Sequence, residues 1–259
     1  AKKLRRLRVI RCSYNQLKKL DVRNLKNLES LECDNNQISN LNVKGLKKLD
    51  ELYCENNKIK KLDVQGCNFL ENLYCSRNSI TILNVKGCED LINLDCSDNQ
   101  INYLKVASCE ALEFLNCENN NLEEINLVNN KVEYLYCSHN KIRNLKLGAN
   151  KMEVLDCSHN ALESLDVSEQ QIYDRLECSH NLLTSLIVGK NEMYKLNCSY
   201  NKLKNIDVSG LHAMKVLICE KNQIDILDLS MISVISIRKD EKTRLLNDLK
   251  FETFRMPIQ

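Results

Sequence analysis

The amino-acid sequence predicts an α/β solenoid, a curved stack of about eleven coils with a parallel β-sheet on its concave face and a C-terminal capping helix. Two observations support this prediction. The pattern Cys-x-x-Asn returns eleven times at a spacing of 20 or 21 residues. The apolar residues between these returns also keep fixed places. Such a regular period indicates one stack of similar coils and not a row of independent globular units.

Each coil contains one cysteine that we name a ladder cysteine, followed by an asparagine three residues later. The ladder cysteines are Cys12, Cys33, Cys54, Cys75, Cys96, Cys117, Cys137, Cys157, Cys178, Cys198 and Cys219. Leu31 and Cys33 alternate with polar neighbours, which is the period of a short strand with one buried face. Because an Asn amide has two donors and an acceptor, a column of asparagines can satisfy backbone groups left unpaired at each bend.

Residues 28–43 read L-x-x-L-x-C-x-x-N-x-I-x-x-L-x-V, and residues 49–64 repeat this pattern. The pattern resembles the leucine-rich repeat, with cysteine in the place of the third leucine. It is most similar to the short bacterial kind, in which a second apolar run such as residues 62–64 follows the asparagine. The resemblance covers about residues 4–232 and implies a surface for protein partners.

The repeat pattern also predicts the domain organisation. We expect the solenoid over residues 1–232, followed at 233–259 by a truncated last strand and the capping helix. Residues 242–255 carry Leu245, Leu246, Leu249 and Phe254 at helical spacing. The arc that joins one coil to the next is one residue shorter at 127–132, 147–152 and 188–193.

The fourteen cysteines predict free thiols. Eleven replace a buried leucine, and Cys67, Cys88 and Cys109 fall in another apolar column. We therefore predict that all fourteen are small hydrophobic residues of the core. Stacked strands hold such side chains about 4.8 Å apart, which is wider than a disulfide requires. A straight ladder also fails to bring four sulfurs around one zinc ion. Free thiols favour a reducing compartment, either the cytoplasm or the cytosol of a host cell, over the cell surface.

Composition excludes several classes of function. The net charge of +2 requires neither nucleic acid nor membrane as a partner, and no apolar run approaches the ~18 residues of a membrane span. No phosphate loop, H-E-x-x-H or G-x-S-x-G motif is present, so we expect neither an enzyme nor a cofactor. No secretion signal is visible, and we expect a monomer.

Three functional hypotheses follow. The first is a protein-interaction scaffold that binds a macromolecular partner through its concave face, as a bacterial effector or intracellular adaptor. The second is a surface protein that recognises a glycan or small polar ligand through Tyr, Asp and Asn side chains. The third is the recognition domain of a larger enzyme, since bacterial leucine-rich repeat proteins that act in host cells often carry a catalytic domain.

Strand alternation predicts which residues line the concave face, namely those three before, one before, and one or two after each ladder cysteine. In the middle coils these are Glu51, Tyr53, Tyr74, Arg77, Asp95, Phe114, Asn116, Tyr134, Tyr136, Val154, Asp156 and Glu177. Exposed aromatic residues flanked by charge are typical of interface hot spots. The alternative is that the rings only pack on each other along the strands.

His139, His159 and His180 share one column, two residues after successive ladder cysteines. Their spacing of about 5 Å could allow transition-metal binding or a response to pH near 6.5. Duplication of a Cys-Ser-His-Asn unit explains the column equally well with nothing bound.

Overall fold

The computed structural model describes residues 6–148 and 151–246, which form a ladder of short strands. The strands are β1 (Val9–Arg11), β2 (Ser30–Glu32), β3 (Glu51–Tyr53), β4 (Lys61–Asp63), β5 (Asn72–Tyr74), β6 (Ile82–Asn84), β7 (Asn93–Asp95), β8 (Phe114–Asn116), β9 (Glu124–Leu127), β10 (Tyr134–Tyr136), β11 (Asn144–Leu147), β12 (Lys151–Asp156), β13 (Ser164–Asp166), β14 (Gln171–Glu177), β15 (Ser185–Ile187), β16 (Lys195–Asn197), β17 (Val216–Ile218), β18 (Ile226–Asp228), β19 (Ser236–Arg238) and β20 (Arg244–Leu246).

Twelve of these strands form one parallel sheet in the order β1-β2-β3-β5-β7-β8-β10-β12-β14-β16-β17-β19. Equivalent residues of neighbouring coils face each other, as Leu31 faces Leu52 and Leu52 faces Leu73. The predicted stack of parallel strands is therefore confirmed. We name the outward side of this sheet, which is the predicted concave face, the strand face.

The core is a column of apolar side chains enclosed by the coils. Leu52, Cys54, Ile59 and Val64 have no exposed surface, and the same positions are buried in the neighbouring coils. All fourteen cysteines are free thiols, and thirteen of them are buried, with Cys12 partly exposed in the first coil. The predicted free-thiol ladder is therefore confirmed. Burial also raises the pKa of these thiols, to about 11 for Cys67, so they are poor nucleophiles.

The ladder asparagines join each coil to the one before it. The side-chain amide of Asn99 donates to the carbonyl oxygens of Cys96 (3.1 Å) and Cys75 (3.1 Å). Its Oδ1 accepts the N–H of Ile80 in the preceding coil (2.8 Å). The same bridge is made by Asn36, Asn57, Asn78, Asn120, Asn140, Asn160, Asn181, Asn201 and Asn222. Each amide thus replaces backbone partners that the bend removes.

The arcs between coils follow two designs. In the longer arc 43–49, two successive turns are closed by the N–H of Leu46 on Val43 O (3.1 Å) and the N–H of Leu49 on Leu46 O (3.0 Å). In the shorter arc 127–132, one turn ends at Asn130, whose amide donates to Val106 O (2.9 Å) in the preceding coil. An apolar residue of the longer arc is therefore replaced by a buried amide in the shorter one.

Gln170 and Asn191 occupy the same position in later coils, and their amides donate to Gly148 O (2.9 Å) and Val167 O (2.9 Å). The stack therefore contains a second amide column. The ninth coil, which contains β14, is irregular, because the register of β12 and β14 shifts between Met152 and Val154.

A second set of strands runs along the far side of the coils, but it is interrupted. It consists of the pairs β4-β6, β9-β11, β13-β15 and β18-β20. We name the surface of these strands and of the arcs the arc side. Because the pairs are not continuous, grooves open on the arc side between them.

The prediction of a capping helix is wrong where the structure tests it. Residues 244–246 form β20, in which Leu245 faces Leu227 of β18. The hydroxyl of Thr243 donates to Ile224 O (2.7 Å), which places the chain beside the open edge of β18. That edge supplies backbone partners, and the adjacent leucines fit a strand as well as a helix. Residues 247–255 of the predicted helix lie outside the described residues, and the boundary at residue 232 stays a prediction.

We predict that Asn99→Ala destabilises the protein by roughly 1–3 kcal/mol or more, because it leaves several buried backbone groups without partners. Urea unfolding followed by circular dichroism would measure this loss. Asn102→Ala is the matched control, since Asn102 is exposed in the next turn of the same coil. Equal midpoints for the two variants would contradict the role given to the asparagine column.

Candidate partner-binding face

Ten of the twelve predicted concave residues lie on the strand face with their side chains partly or well exposed. They are Glu51, Tyr53, Tyr74, Asp95, Phe114, Asn116, Tyr134, Tyr136, Asp156 and Glu177. Each belongs to a strand of the main sheet and alternates with a buried leucine. The strand pairing brings Phe114, Tyr134 and Tyr136 together, because Phe114 faces Tyr134 across β8 and β10.

Two of the predicted residues differ from the other ten in their exposure or position. Val154 points to the strand face but is only 3% exposed, because it lies between Tyr134 and Arg175 of the neighbouring strands and is covered by them. Arg77 is exposed but lies beyond the strand, in the turn, with φ of 52°. Val154 therefore offers little contact surface, and Arg77 belongs to the edge of the face.

The aromatic side chains form two groups. Tyr53 and Tyr74 stack with parallel planes at a centroid distance of 5.2 Å. These two rings therefore pack on each other along the strands, as the alternative interpretation expected. Phe114 and Tyr136 meet at 5.8 Å with their planes tilted by 47°, and Tyr134 beside them is 38% exposed. The second group therefore presents more ring surface to a partner than the first.

Hydrogen bonds fix several polar side chains of the face. Asp95 accepts the N–H and hydroxyl of Ser97 (3.0 and 2.7 Å), and Asp156 is held in the same way by Ser158. These side chains are preorganised, which lowers the entropy lost on binding.

The residue two places after each ladder cysteine, which we name the turn column, has positive φ in all eleven coils. This backbone conformation suits Asn and Asp best among residues with a side chain, and Asn occupies the column at Asn35, Asn56 and Asn119. Equal backbone conformations in successive coils point equivalent side chains the same way. The turn column is therefore built to align neighbouring rings.

His139, His159, His180 and Tyr200 form a continuous stack in the turn column. Their successive centroids are 4.2, 4.1 and 4.2 Å apart, with planes within 11° of parallel. Parallel rings direct their nitrogens side by side and not toward one point. Among the described residues, no group of three His, Cys, Asp or Glu side chains is arranged to hold a metal ion. The stack instead forms an extended aromatic edge of the strand face. The sequence predicts that the three histidines share a column but not that their rings stack.

Glu55 is a carboxyl of the strand face with an unusual environment. Burial raises its pKa to about 7, with a further contribution from the negative charges of Asp34 and Asp95. Its Oε2 is buried without a hydrogen-bond partner. No signal in the sequence indicates this environment, because the repeat spacing alone does not reveal how deeply a side chain is covered.

The arc side contains a groove of about 630 Å³ that sequence reasoning missed. It opens where the second ladder stops after β6, and its lining includes the exposed side chains Ile82 and Tyr103 beside Lys86 and Lys105. The ammonium group of Lys105 lies 5.1 Å from the Tyr103 ring centroid. Nothing in the lining selects a ligand class.

Comparison with known proteins agrees with this architecture. The profile of a pair of leucine-rich repeats matches residues 5–48. The functional domain of InlJ from Listeria monocytogenes, which includes a cysteine ladder, is 32% identical over 93% of the chain and 50% of its own length, with a TM-score of 0.73. The leucine-rich effector protein YopM from Yersinia pestis is 22% identical over 89% of the chain and 68% of its own, with a TM-score of 0.68.

The leucine-rich repeat domain of APL1B gives a TM-score of 0.66 at 20% identity, over 89% of the chain and 81% of its own. No curated protein shows significant sequence similarity to the chain. The matches define the class: the coils are leucine-rich repeats, and the chain is a leucine-rich repeat solenoid with a cysteine ladder. It spans half the length of the InlJ domain. No described stretch forms a helix that could cross a membrane.

We predict that the protein loses stability as the pH falls below about 6.5, the ordinary pKa of histidine. Burial lowers the pKa of His159, and the neighbouring His139 and His180 lower it further, while Asp156 opposes them. The unfolded chain therefore takes up the proton first, and the folded state is disfavoured in acid. Thermal unfolding across this pH range should show a smaller loss for His159→Asn, since Asn fits the turn column. His212→Asn, outside the stack, is the control, and an equal effect of both would refute the explanation.

Glu55 gives a prediction of opposite sign. Because the folded pKa is raised to about 7 from 4.5, its contribution to stability is present below about pH 4.5 and lost as the pH rises through 7. We expect Glu55→Gln to raise the unfolding midpoint at pH 8. Glu118→Gln in the same column should not, because the Glu118 carboxylate accepts the Ser138 hydroxyl (2.6 Å). No gain for Glu55→Gln would contradict the buried environment.

Proposed function

We propose that the chain is a protein-interaction scaffold that binds a macromolecular partner through its strand face. It works as a monomer and performs no catalysis of its own. The observation that supports this most directly is the group Phe114, Tyr134 and Tyr136, which is partly exposed in the middle of the strand face. Among the described residues, each strand of the main sheet packs against neighbouring strands, and no further element covers the face.

The chemistry of the face fits a protein partner. Aromatic rings flanked by held carboxylates combine apolar contact area with polar groups of fixed direction, which is the composition of interface hot spots. The regular column of strands offers one continuous surface across the coils, whereas a small polar ligand would need a closed site. A glycan or small-ligand receptor is therefore the second hypothesis, and recognition by one domain of a larger enzyme is the third.

The similarity to the InlJ domain extends the proposal to the setting of the protein. We infer a bacterial protein that meets host molecules, as an effector or adaptor, and that works in the reducing cytosol of a host cell or in the cytoplasm. The buried thiols suit this setting without requiring it, because burial also protects them from oxidants outside the cell.

We predict that Phe114→Ala and Tyr136→Ala each weaken partner binding by more than about 1 kcal/mol, or roughly fivefold, while the fold is kept. Binders selected from a displayed library of protein fragments would serve as probes, and biolayer interferometry would measure their affinity for each variant. Loss of ring contacts at the centre of the face is the physical reason.

Lys60→Ala and Lys86→Ala on the arc side are the controls, and they should change the affinity little. Circular dichroism and unfolding midpoints must show that the ring variants keep the fold. If most selected binders lose affinity only with the arc-side variants, the strand face is not the binding surface, although the solenoid fold would stand.

A further inference from the structure

The charge of the strand face differs sharply from the charge of the whole chain. The chain has 37 Lys and Arg against 35 Asp and Glu. From the second to the ninth coil, the positions four, three and one before and one and two after each ladder cysteine contain sixteen Asp and Glu, against only Arg77 and Arg175. The lysines of these coils lie at other positions, such as Lys44, Lys61 and Lys86 on the arc side. A nearly neutral protein therefore presents a strongly acidic face.

The acidic field has a regular edge. The residue four places before the ladder cysteine is a carboxylate in seven of these eight coils, and we name this column the acidic rim. It consists of Glu29, Asp50, Glu71, Glu113, Glu133, Glu153 and Asp174. Backbone hydrogen bonds fix its spacing, since the N–H of Glu133 donates to Glu113 O (2.8 Å) and that of Glu153 to Glu133 O (2.8 Å). The backbone positions of the rim therefore recur at about the strand spacing of 4.8 Å, with one interruption at Ile92.

The middle of the rim is not neutralised by the protein itself. Among the described residues, the side chains of Glu71, Glu113, Glu133 and Glu153 make no hydrogen bond or ion pair. Lys131 is the nearest cation in sequence to Glu133 and does not reach ion-pair distance. Parallel carboxylates at this spacing repel each other, and a bound cationic group would relieve that repulsion.

The two ends of the face are basic. In the first coil, Arg8 and Arg11 pair with Glu29 (2.6 Å) and Glu32 (2.7 Å). At the other end, Lys195 pairs with Glu177 (2.6 Å). The acidic field is thus limited to the second to ninth coils, whose eight strands span about 34 Å at the strand spacing.

Aromatic rings lie inside this acidic field. Phe114, Tyr134 and Tyr136 lie between the rim carboxylates Glu113 and Glu133 and the ladder cysteines. A guanidinium group can contact a ring face while it pairs with a carboxylate. The combination of rings and carboxylates selects cationic side chains more strongly than either group alone.

We propose that the occupant of the strand face is a protein segment rich in Arg and Lys, bound along the acidic field of the second to ninth coils. This inference rests on the proposed function and specifies its partner. An extended segment that spans the field contains about a dozen residues. Complementary charge accelerates encounter and makes the affinity fall with salt.

The test uses three fluorescein-labelled synthetic peptides of about twelve residues, in which Ser alternates with Arg, Gln or Glu. Fluorescence anisotropy at about 50 mM and about 200 mM salt measures binding to the protein. We expect binding of the Arg peptide alone, weaker at the higher salt. The triple variant Glu113→Gln, Glu133→Gln, Glu153→Gln should lower the affinity about tenfold.

The matched control is Glu123→Gln, Glu163→Gln, Glu169→Gln, which removes the same charge from exposed arc-side positions. The inference would be overturned if this variant lost as much affinity for the Arg peptide as the rim variant does. It would also be overturned if the Arg peptide did not bind, or if spermine at the same total charge competed equally well. If library binders depend on Tyr136 but not on the rim glutamates, the strand-face function stands and the cationic partner does not. If binding of the library binders and of the Arg peptide depended only on arc-side residues, both the strand-face function and the cationic partner would be contradicted.

Discussion

The hydrogen bonds of the ladder asparagines are the constraint on which the whole molecule depends. Each strand of the main sheet contains only a few residues, so the chain must bend often and would leave buried backbone groups unpaired at every bend. One amide per coil supplies the missing partners on both sides of a coil boundary, as Asn99 does for Cys75 and Ile80 of the preceding coil and for Cys96 of its own. Because each amide reaches into the preceding coil, the spacing and direction of all later side chains are fixed by the same contact.

This constraint explains how a structural column becomes a functional surface. The bend held by the asparagine puts the residue just before it, the turn column, at positive φ in every coil. Identical backbone geometry then aligns whatever side chain the turn column carries, so His139, His159 and His180 stack without any mutual attraction being needed to bring them together. The acidic rim is aligned in the same way by the backbone ladder. A solenoid therefore places the same type of side chain at equivalent positions of successive coils, and the weak effects of single charges add up to an extended electrostatic field.

The parts that sequence could predict are those set by the period. The strands, the buried cysteines and the ladder asparagines follow from positions that recur, and the structure confirms them. What the period does not determine depends on neighbours in space. Val154 is apolar among polar face residues, and its burial comes from Tyr134 and Arg175 on adjacent strands. The raised pKa of Glu55 has the same origin, since burial is its main cause. Residues 244–246 became a strand because β18 offers an open edge, which no local pattern records.

The shortened arcs show how the stack accepts a change in length. Removing a residue removes one turn and its hydrogen bond, and the buried amide of Asn130 or Asn191 restores a bond to the preceding coil. In the longer arcs the same position is apolar, as at Leu46 or Cys67, and needs no such bond. Arc length and arc composition are therefore coupled, so the chain shortens at residues 127–132 while β8, β10 and β12 keep their register. The strand face thus stays continuous through the coils that carry Tyr134, Tyr136 and the stacked histidines, where a shift of one residue would turn these side chains toward the core.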